Sequence, residues 1–213
     1  MLGIFHSQQE IDNYKYADGT LIQPNAKPGD IKWQDTDGKG GITADDRTWL
    51  GDPTPNWTYG LSVDLNWKNW EFLVFGQGVW GNQIFQGYRR LDIPTANYPI
   101  EALNAWTTSN PNSNYPRLTD ADPNHNFNNP SDFYLQNGAY FRIKSIQIGY
   151  NLPKIWAKTA GLKNARVYVS SSNLLTITKY NGYDPEVGGS SYGIDRGIYP
   201  QSRTLMFGLN LGL

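Results

Sequence analysis

The last dozen residues constrain the fold most. Leu205, Phe207, Leu209, Leu211 and Leu213 alternate with Thr204, Met206, Gly208, Asn210 and Gly212. A period of two over this length predicts a strand with one apolar face and one small or polar face. The same pattern recurs from Tyr59 to Trp67, where Tyr59, Leu61, Val63, Leu65 and Trp67 share one side and Gly60, Ser62, Asp64 and Asn66 the other. Such a face must meet either a protein core or lipid. If lipid, every strand should alternate in this way while the long connections stay polar.

The rest of the chain follows that rule. Lys68-Asn69 predicts a tight hairpin turn into a second strand, Trp70 to Trp80, whose glycines suggest bends. A third strand is expected from about Phe133 to Tyr150. Its apolar phase slips from Phe141 and Ile143 to Ile146, Ile148 and Tyr150, which implies a bulge. Leu152 to Gly161 reads as a turn with one or two helical turns closed by Gly161, and a fourth strand opens with Val167 and Val169 and fades near Thr178. Between these lie polar stretches rich in Gly, Pro, Asp and Asn: residues 7–56, 81–131 (with one short helix expected around Ile100 to Trp106) and 179–199. Short and long links therefore alternate between five strands. That is the topology of an outer-membrane barrel, with short periplasmic turns and long extracellular loops.

Composition fits this reading. Aromatic residues make up 14% of the chain, with 8 Trp and 14 Tyr, in an otherwise hydrophilic sequence. Trp57, Trp67, Trp70, Trp80 and Trp156 fall at strand ends or turns, as interfacial belts require; ordinary core packing is the alternative. Lys+Arg 18 against Asp+Glu 19 gives a net charge of -1, so no basic field points to nucleic acid. With no cysteine, neither disulfides nor thiolate chemistry is available. No apolar run reaches the roughly 18 residues of a membrane-spanning helix, which leaves a barrel open because barrel strands need only about 9–11 residues. The start lacks the charged and apolar regions of a signal peptide. Five strands do not close a barrel, and an open sheet has unpaired edges, so the expectation is a piece of a larger protein.

Several stretches resemble the C-terminal region of the SusC/RagA family of TonB-dependent outer-membrane transporters. They include Gly3-Ile-Phe with Glu10-Ile-Asp-Asn-Tyr14, Pro28-Gly-Asp-Ile-Lys-Trp-Gln-Asp35, and Gly51-Asp-Pro-Thr-Pro-Asn-Trp-Thr-Tyr-Gly60. Downstream come Gln77-Gly-Val-Trp-Gly-Asn82, Tyr140-Phe-Arg-Ile-Lys144, Gly149-Tyr-Asn-Leu-Pro153, Ser172 to Tyr180, Gly182-Tyr-Asp-Pro-Glu186 and Pro200-Gln-Ser-Arg-Thr204. The resemblance implies an all-β fold: the last five antiparallel strands of a plugged barrel of about 22 strands. Residues 1–56 would then be an extracellular loop region, and residues 57–213 the C-terminal part of the barrel. It implies import of glycans or peptides across the outer membrane, a SusD-like surface lipoprotein as lid, and energy from a TonB complex that contacts an N-terminal part lying outside this chain. The family's usual terminal aromatic residue is replaced here by Leu213.

One local motif suggests a cofactor. Asp35-Thr-Asp-Gly-Lys-Gly-Gly-Ile-Thr-Ala-Asp-Asp46 matches a calcium loop at Asp35, Asp37, Gly40 and Asp46, with the Gly41 carbonyl as a further oxygen. Lys39 stands where that loop needs a ligand. The other reading is an Asp/Gly turn whose carboxylates accept backbone N–H groups. Among the aromatic residues of the long links, Tyr88, Trp106, Tyr183 and Tyr192 are candidates for stacking on sugars or packing against the lid protein. Arg142, Lys144 and Asp64 fall on polar phases. Asp184 and Glu186 read as loop-ordering groups, because two residues of sequence separation fixes no catalytic spacing. His6 and His125 read as solvated. No nucleophile and base converge, so catalysis is not expected. A secreted, calcium-stabilised, carbohydrate-binding β domain is the alternative.

Overall fold

The computed structural model describes every residue except Arg90, Leu91, Pro94, Ala121 and 188–191. In chain order its elements are β1 (Gly3–Ile4), α1 (Gln8–Asn13), β2 (Ile31–Lys32), β3 (Trp57–Trp67), β4 (Trp70–Trp80), β5 (Gln83–Gln86), β6 (Leu135–Asn137), β7 (Tyr140–Asn151), α2 (Lys154–Thr159), β8 (Asn164–Thr178), β9 (Ile194–Asp195) and β10 (Thr204–Gly212). Short 3₁₀ turns cover Ala44–Asp46, Ile100–Asn104 and Asp132–Tyr134. No described helix is long and apolar enough to cross a membrane. The chain divides into two compact units: Met1–Gly51 with Gln86–Leu135, and Asp52–Phe85 with Gln136–Leu213.

The second unit holds the five expected strands as one antiparallel sheet in the order β10-β8-β7-β4-β3, the third starting at Tyr140 rather than Phe133 because Asp132–Tyr134 forms a 3₁₀ turn and Leu135–Asn137 pairs in another sheet. The sheet is open, with β3 and β10 at its edges. Register keeps the apolar side chains in rows: Leu61 faces Gly76, Val63 faces Val74, Leu65 faces Phe72, and Leu209 faces Val167. That face is bare, with Leu61 60%, Leu65 58% and Phe207 77% exposed, where a soluble sheet would cover it. Trp57 pairs with Trp80 at one end of the first hairpin and Trp67 with Trp70 at the other. Ten residue steps at about 3.4 Å separate the two pairs by about 34 Å along the strand. Tilted as barrel strands are, by roughly 45°, they span about 25 Å, the height of a barrel's lipid-facing band. The Trp pairs therefore sit where membrane interfaces would lie.

The two-residue turn at Lys68 and Asn69 forms as expected, with Lys68 in the left-handed region at φ 56°. So does the bulge. At one level of the sheet β4 passes directly from Phe75 to Gly76, β7 inserts Lys144 between Ile143 and Ser145, and β8 inserts Asn173 and Leu174 between Ser172 and Leu175. Asn173 takes up the irregularity with φ 52°. Gly161, at φ 76°, follows α2, the short helix expected between the third and fourth long strands.

Residues 7–56 hold little regular structure, as their composition suggests: α1, β2 and one 3₁₀ turn. Ser7 caps α1 by accepting the Glu10 N–H at 3.3 Å, and Glu10 accepts the His6 N–H at 2.8 Å. Such an S-x-x-E pair is a helix-start signal. Phe5, Ile11 and Ala26 form a small apolar cluster beside it. Most of the first unit is instead tied by buried polar groups. Asp30, fully buried, accepts from Arg117 Nε at 2.5 Å and from Asn126 Nδ2 at 2.8 Å. Asn124 and Gln23 then satisfy the Ile31 carbonyl, and Asn126 Oδ1 accepts the Ile31 N–H. All but the Gln23 bond join residues about ninety positions apart, and no hydrophobic period announces them.

Candidate functional site

On the polar face of the sheet, β7 aims two cations at one loop. Arg142 is 3% exposed; its Nη2 reaches Asp184 Oδ1 at 2.6 Å, its Nη1 reaches Glu186 Oε2 at 2.7 Å, and its Nε donates to Thr176 Oγ1 at 2.8 Å. Lys144, the bulge residue, donates to both Glu186 oxygens at 2.8 and 2.7 Å. Gln77 Nε2 adds a bond to Glu186 at 3.3 Å. Two positive and two negative groups therefore neutralise one another where the sheet meets the 179–199 loop. Burial pushes the Asp184 carboxyl up, but the Arg142 guanidinium and the Gln201 and Glu186 backbone N–H groups outweigh it and hold the group below its ordinary value. The Tyr180 hydroxyl donates to Asp195 at 2.6 Å, and Asp195 also accepts the Gly197 and Ile198 N–H groups. The described residues of the loop are thus tied by ion pairs at Asp184 and Glu186 and by neutral donors at Asp195. Asp184 and Glu186 are loop-ordering groups, as expected, whereas Asp64 stays exposed with its carboxylate accepting from Asn66.

Tyr183 and Tyr192, near these tied points, are 62% and 81% exposed. Exposed tyrosine rings are the kind of face that stacks on sugars or packs on a partner. The other two aromatic candidates lie in the first unit. Tyr88 is half-buried, with Gln86 donating to its hydroxyl at 3.2 Å. Trp106 packs on the backbone at Gly29, where the indole leaves no room for a side chain: a Cβ there would lie 2.6 Å from it, and the φ of 92° favours glycine independently.

The Asp35, Asp37 and Asp46 carboxylates converge, each offering an oxygen within 4.8 Å of the others. Every one is also engaged by the loop itself. Asp46 accepts the Thr36 and Thr43 N–H groups at 2.7 Å and that of Asp37 at 3.3 Å, and these amides hold its carboxyl down to about 2. Asp35 accepts from the Gly38 N–H at 2.6 Å and from the Tyr16 hydroxyl, and the Tyr16 hydroxyl in turn accepts the Gly41 N–H at 2.7 Å. Asp37 pairs with the Lys39 ammonium at 3.1 Å. Both features of the sequence reading are therefore present: a converging carboxylate set of the right chemistry for a hard cation, and an Asp/Gly turn that satisfies the same oxygens.

The chain is 36% identical over 208 residues to TonB-dependent receptor P3 of Formosa agariphila, a match covering 92% of this chain and 20% of that protein. It is 26% identical over 201 residues to TonB-dependent receptor SusC of Bacteroides thetaiotaomicron, covering 93% and 19%. Among solved structures it superimposes on the RagAB peptide importer in its open-open state with a TM-score of 0.65 and 28% identity, covering 82% of this chain and 19% of that one. The chain is a SusC/RagA-like TonB-dependent receptor segment. The SusC/RagA-like chain spans about a fifth of the length of the curated relatives it matches. No established family profile matches it. SusC/RagA-like receptors are outer-membrane proteins, so the bare apolar face of the sheet is a lipid-facing face. These relatives are named receptors and importers rather than enzymes.

Three groups escaped the sequence reading. They are the partners of Arg142, the buried Asp30 network and the cap of α1. Only the last had a local signal, Ser7-Gln-Gln-Glu10. The other two depend on which loop folds onto which strand.

Proposed function

We propose that this chain supplies five C-terminal wall strands and their loops to a TonB-driven outer-membrane importer. The importer takes up glycans or other large nutrients, peptides included, beneath a SusD-like lipoprotein lid. The observation that carries the reading is the hairpin of β3 and β4: paired tryptophans at both ends, a bare apolar band of the height of a bilayer core, and short turns at one end against long loops at the other. On this reading the Lys68-Asn69 and α2 turns are periplasmic. The 179–199 loop, with Tyr183 and Tyr192, faces substrate and lid. The named partner chemistry of the relatives, a peptide importer for RagAB, supports a large solute and leaves the choice between sugar and peptide to experiment.

Deletion of the gene for the full receptor should abolish growth on one class of oligosaccharide or peptide while growth on monomers stays normal. A tagged receptor extracted in mild detergent should bring down a surface lipoprotein. Normal growth on every polymeric nutrient tested would sink the importer reading.

The Asp35, Asp37 and Asp46 loop would hold calcium within this framework, with the Gly41 carbonyl as a further oxygen and Lys39 swinging away from Asp37. Calcium would then stiffen an outer loop rather than take part in transport. Millimolar calcium should protect the 35–46 loop from protease, and Asp35→Ala should remove the protection. Equal cleavage with and without chelator leaves the loop as a self-satisfied turn.

A further inference from the structure

The apolar face carries a furrow at the short-turn end. It follows β8, where Val167 and Val169 are shorter than the rows beside them, and it is walled by Trp70 and Tyr150 on one side and by Phe207 and Leu209 on the other. Trp70 and Tyr150 pack as a tilted ring pair, centroids 4.8 Å apart. Its volume is about 790 Å³ and its lining almost wholly apolar, within the range of small-molecule sites.

Basic residues gather beyond that end. Residues 152–163 contain Lys154, Lys158 and Lys163 and no carboxylate, and Lys68 lies on the adjoining turn, joined to it through the Asn151 N–H and the Asn69 carbonyl at 2.8 Å. Among the described residues none of the four ammonium groups is paired with a carboxylate. Glu71, at the start of β4, is held by Arg166 and Asn151 at 2.8 and 2.6 Å. α2, which carries Lys154 and Lys158, buries only Ala157 and leaves Ile155 and Trp156 77% and 62% exposed. An isolated two-turn helix with that pattern gains nothing in water. At an interface the indole and the isoleucine enter the acyl region while the lysines meet headgroups.

We propose that this corner of the sheet is a seat for one anionic phospholipid: an acyl chain lies in the furrow along β8, and the headgroup phosphate is held by the lysines of the α2 turn and Lys68. The inference rests on the outer-membrane reading above. Continuity of the furrow with the lipid-facing sheet and the charge beyond it commit the occupant to a phospholipid of the leaflet on the short-turn side.

The test uses the full receptor, extracted from membranes in mild detergent and checked for a folded barrel by its gel shift on boiling. Native mass spectrometry then reads lipid retained after adding phosphatidylglycerol or phosphatidylcholine. The wild-type receptor should keep phosphatidylglycerol in preference to phosphatidylcholine. Lys154→Glu, Lys158→Glu and Lys163→Glu combined should cut retention about tenfold or more. Val167→Trp, which fills the furrow with a residue that lipid tolerates, should do the same if the triple variant does not assemble. Unchanged retention in folded variants, or equal retention of the two lipids, overturns the seat. Recovery of the receptor in the soluble fraction, seen before any lipid is added, overturns the membrane reading instead.

Discussion

Arg142 shows how much one side chain can decide. It joins the wall to the 179–199 loop through two carboxylates while itself almost wholly buried, so Arg142→Ala strands Asp184 in a site that Arg142 had made tolerable. The expected cost is roughly 3 kcal/mol. Hydrogen exchange across 179–199 should rise in the variant while the strands stay protected. Glu186→Gln, at a more open position, should cost about 1 kcal/mol or less. Acid should act in the same direction. A carboxyl lowered on folding stabilises above its unfolded value and loses that contribution as pH falls through the folded one. The Asp46 contribution is therefore complete above 3.8 and lost as pH falls through about 2, and that of Asp184 is lost on acidification below the ordinary carboxylate range. Exchange of the Thr36 and Thr43 amides at pH 4 and at pH 2 would show it. The sequence placed Arg142 on a polar phase without its partners, because a period gives the face of a strand and says nothing of which loop crosses that face.

At the scale of elements, the strands were legible because lipid demands it. A wall with one apolar face has to alternate, and a slip of one residue is visible as a phase change, as at Ile143 and Ile146. The two faces should therefore respond oppositely to charge. Val63, opposite Val74 near the middle of the band, should lose about 2–4 kcal/mol as Val63→Arg, whereas Ser62→Arg on the other face should assemble normally. Urea unfolding in vesicles would measure both. Gly78 makes a different demand. A Cβ there would lie 2.3 Å from the Tyr140 carbonyl and 2.6 Å from the Tyr59 hydroxyl, so Gly78→Ala must both shift β4 against β7 and displace Tyr59 from its stack on Phe141. A loss of roughly 1–3 kcal/mol is expected in the same assay. The weak alternation of β4 came from such glycines, which vacate positions for neighbouring rings.

For the whole molecule, the bare face and the unpaired edges at β3 and β10 predict that the 213 residues alone aggregate in buffer and stay dispersed only in detergent, which sedimentation would show. The first unit was the least legible part, since Asp30, Asn124, Asn126 and Gln23 build its interior from side chain to backbone and leave no periodic trace. The wall also carries information beyond its faces. At one level β4, β7 and β8 contribute no extra residue, one and two, and the last adds about 7 Å of contour. A sheet lengthened stepwise across its width bends like cloth with a dart sewn into it. The bend of the sheet at this level is therefore cut into the strands themselves, and exchanging the loops beyond it between receptors would leave that bend unchanged.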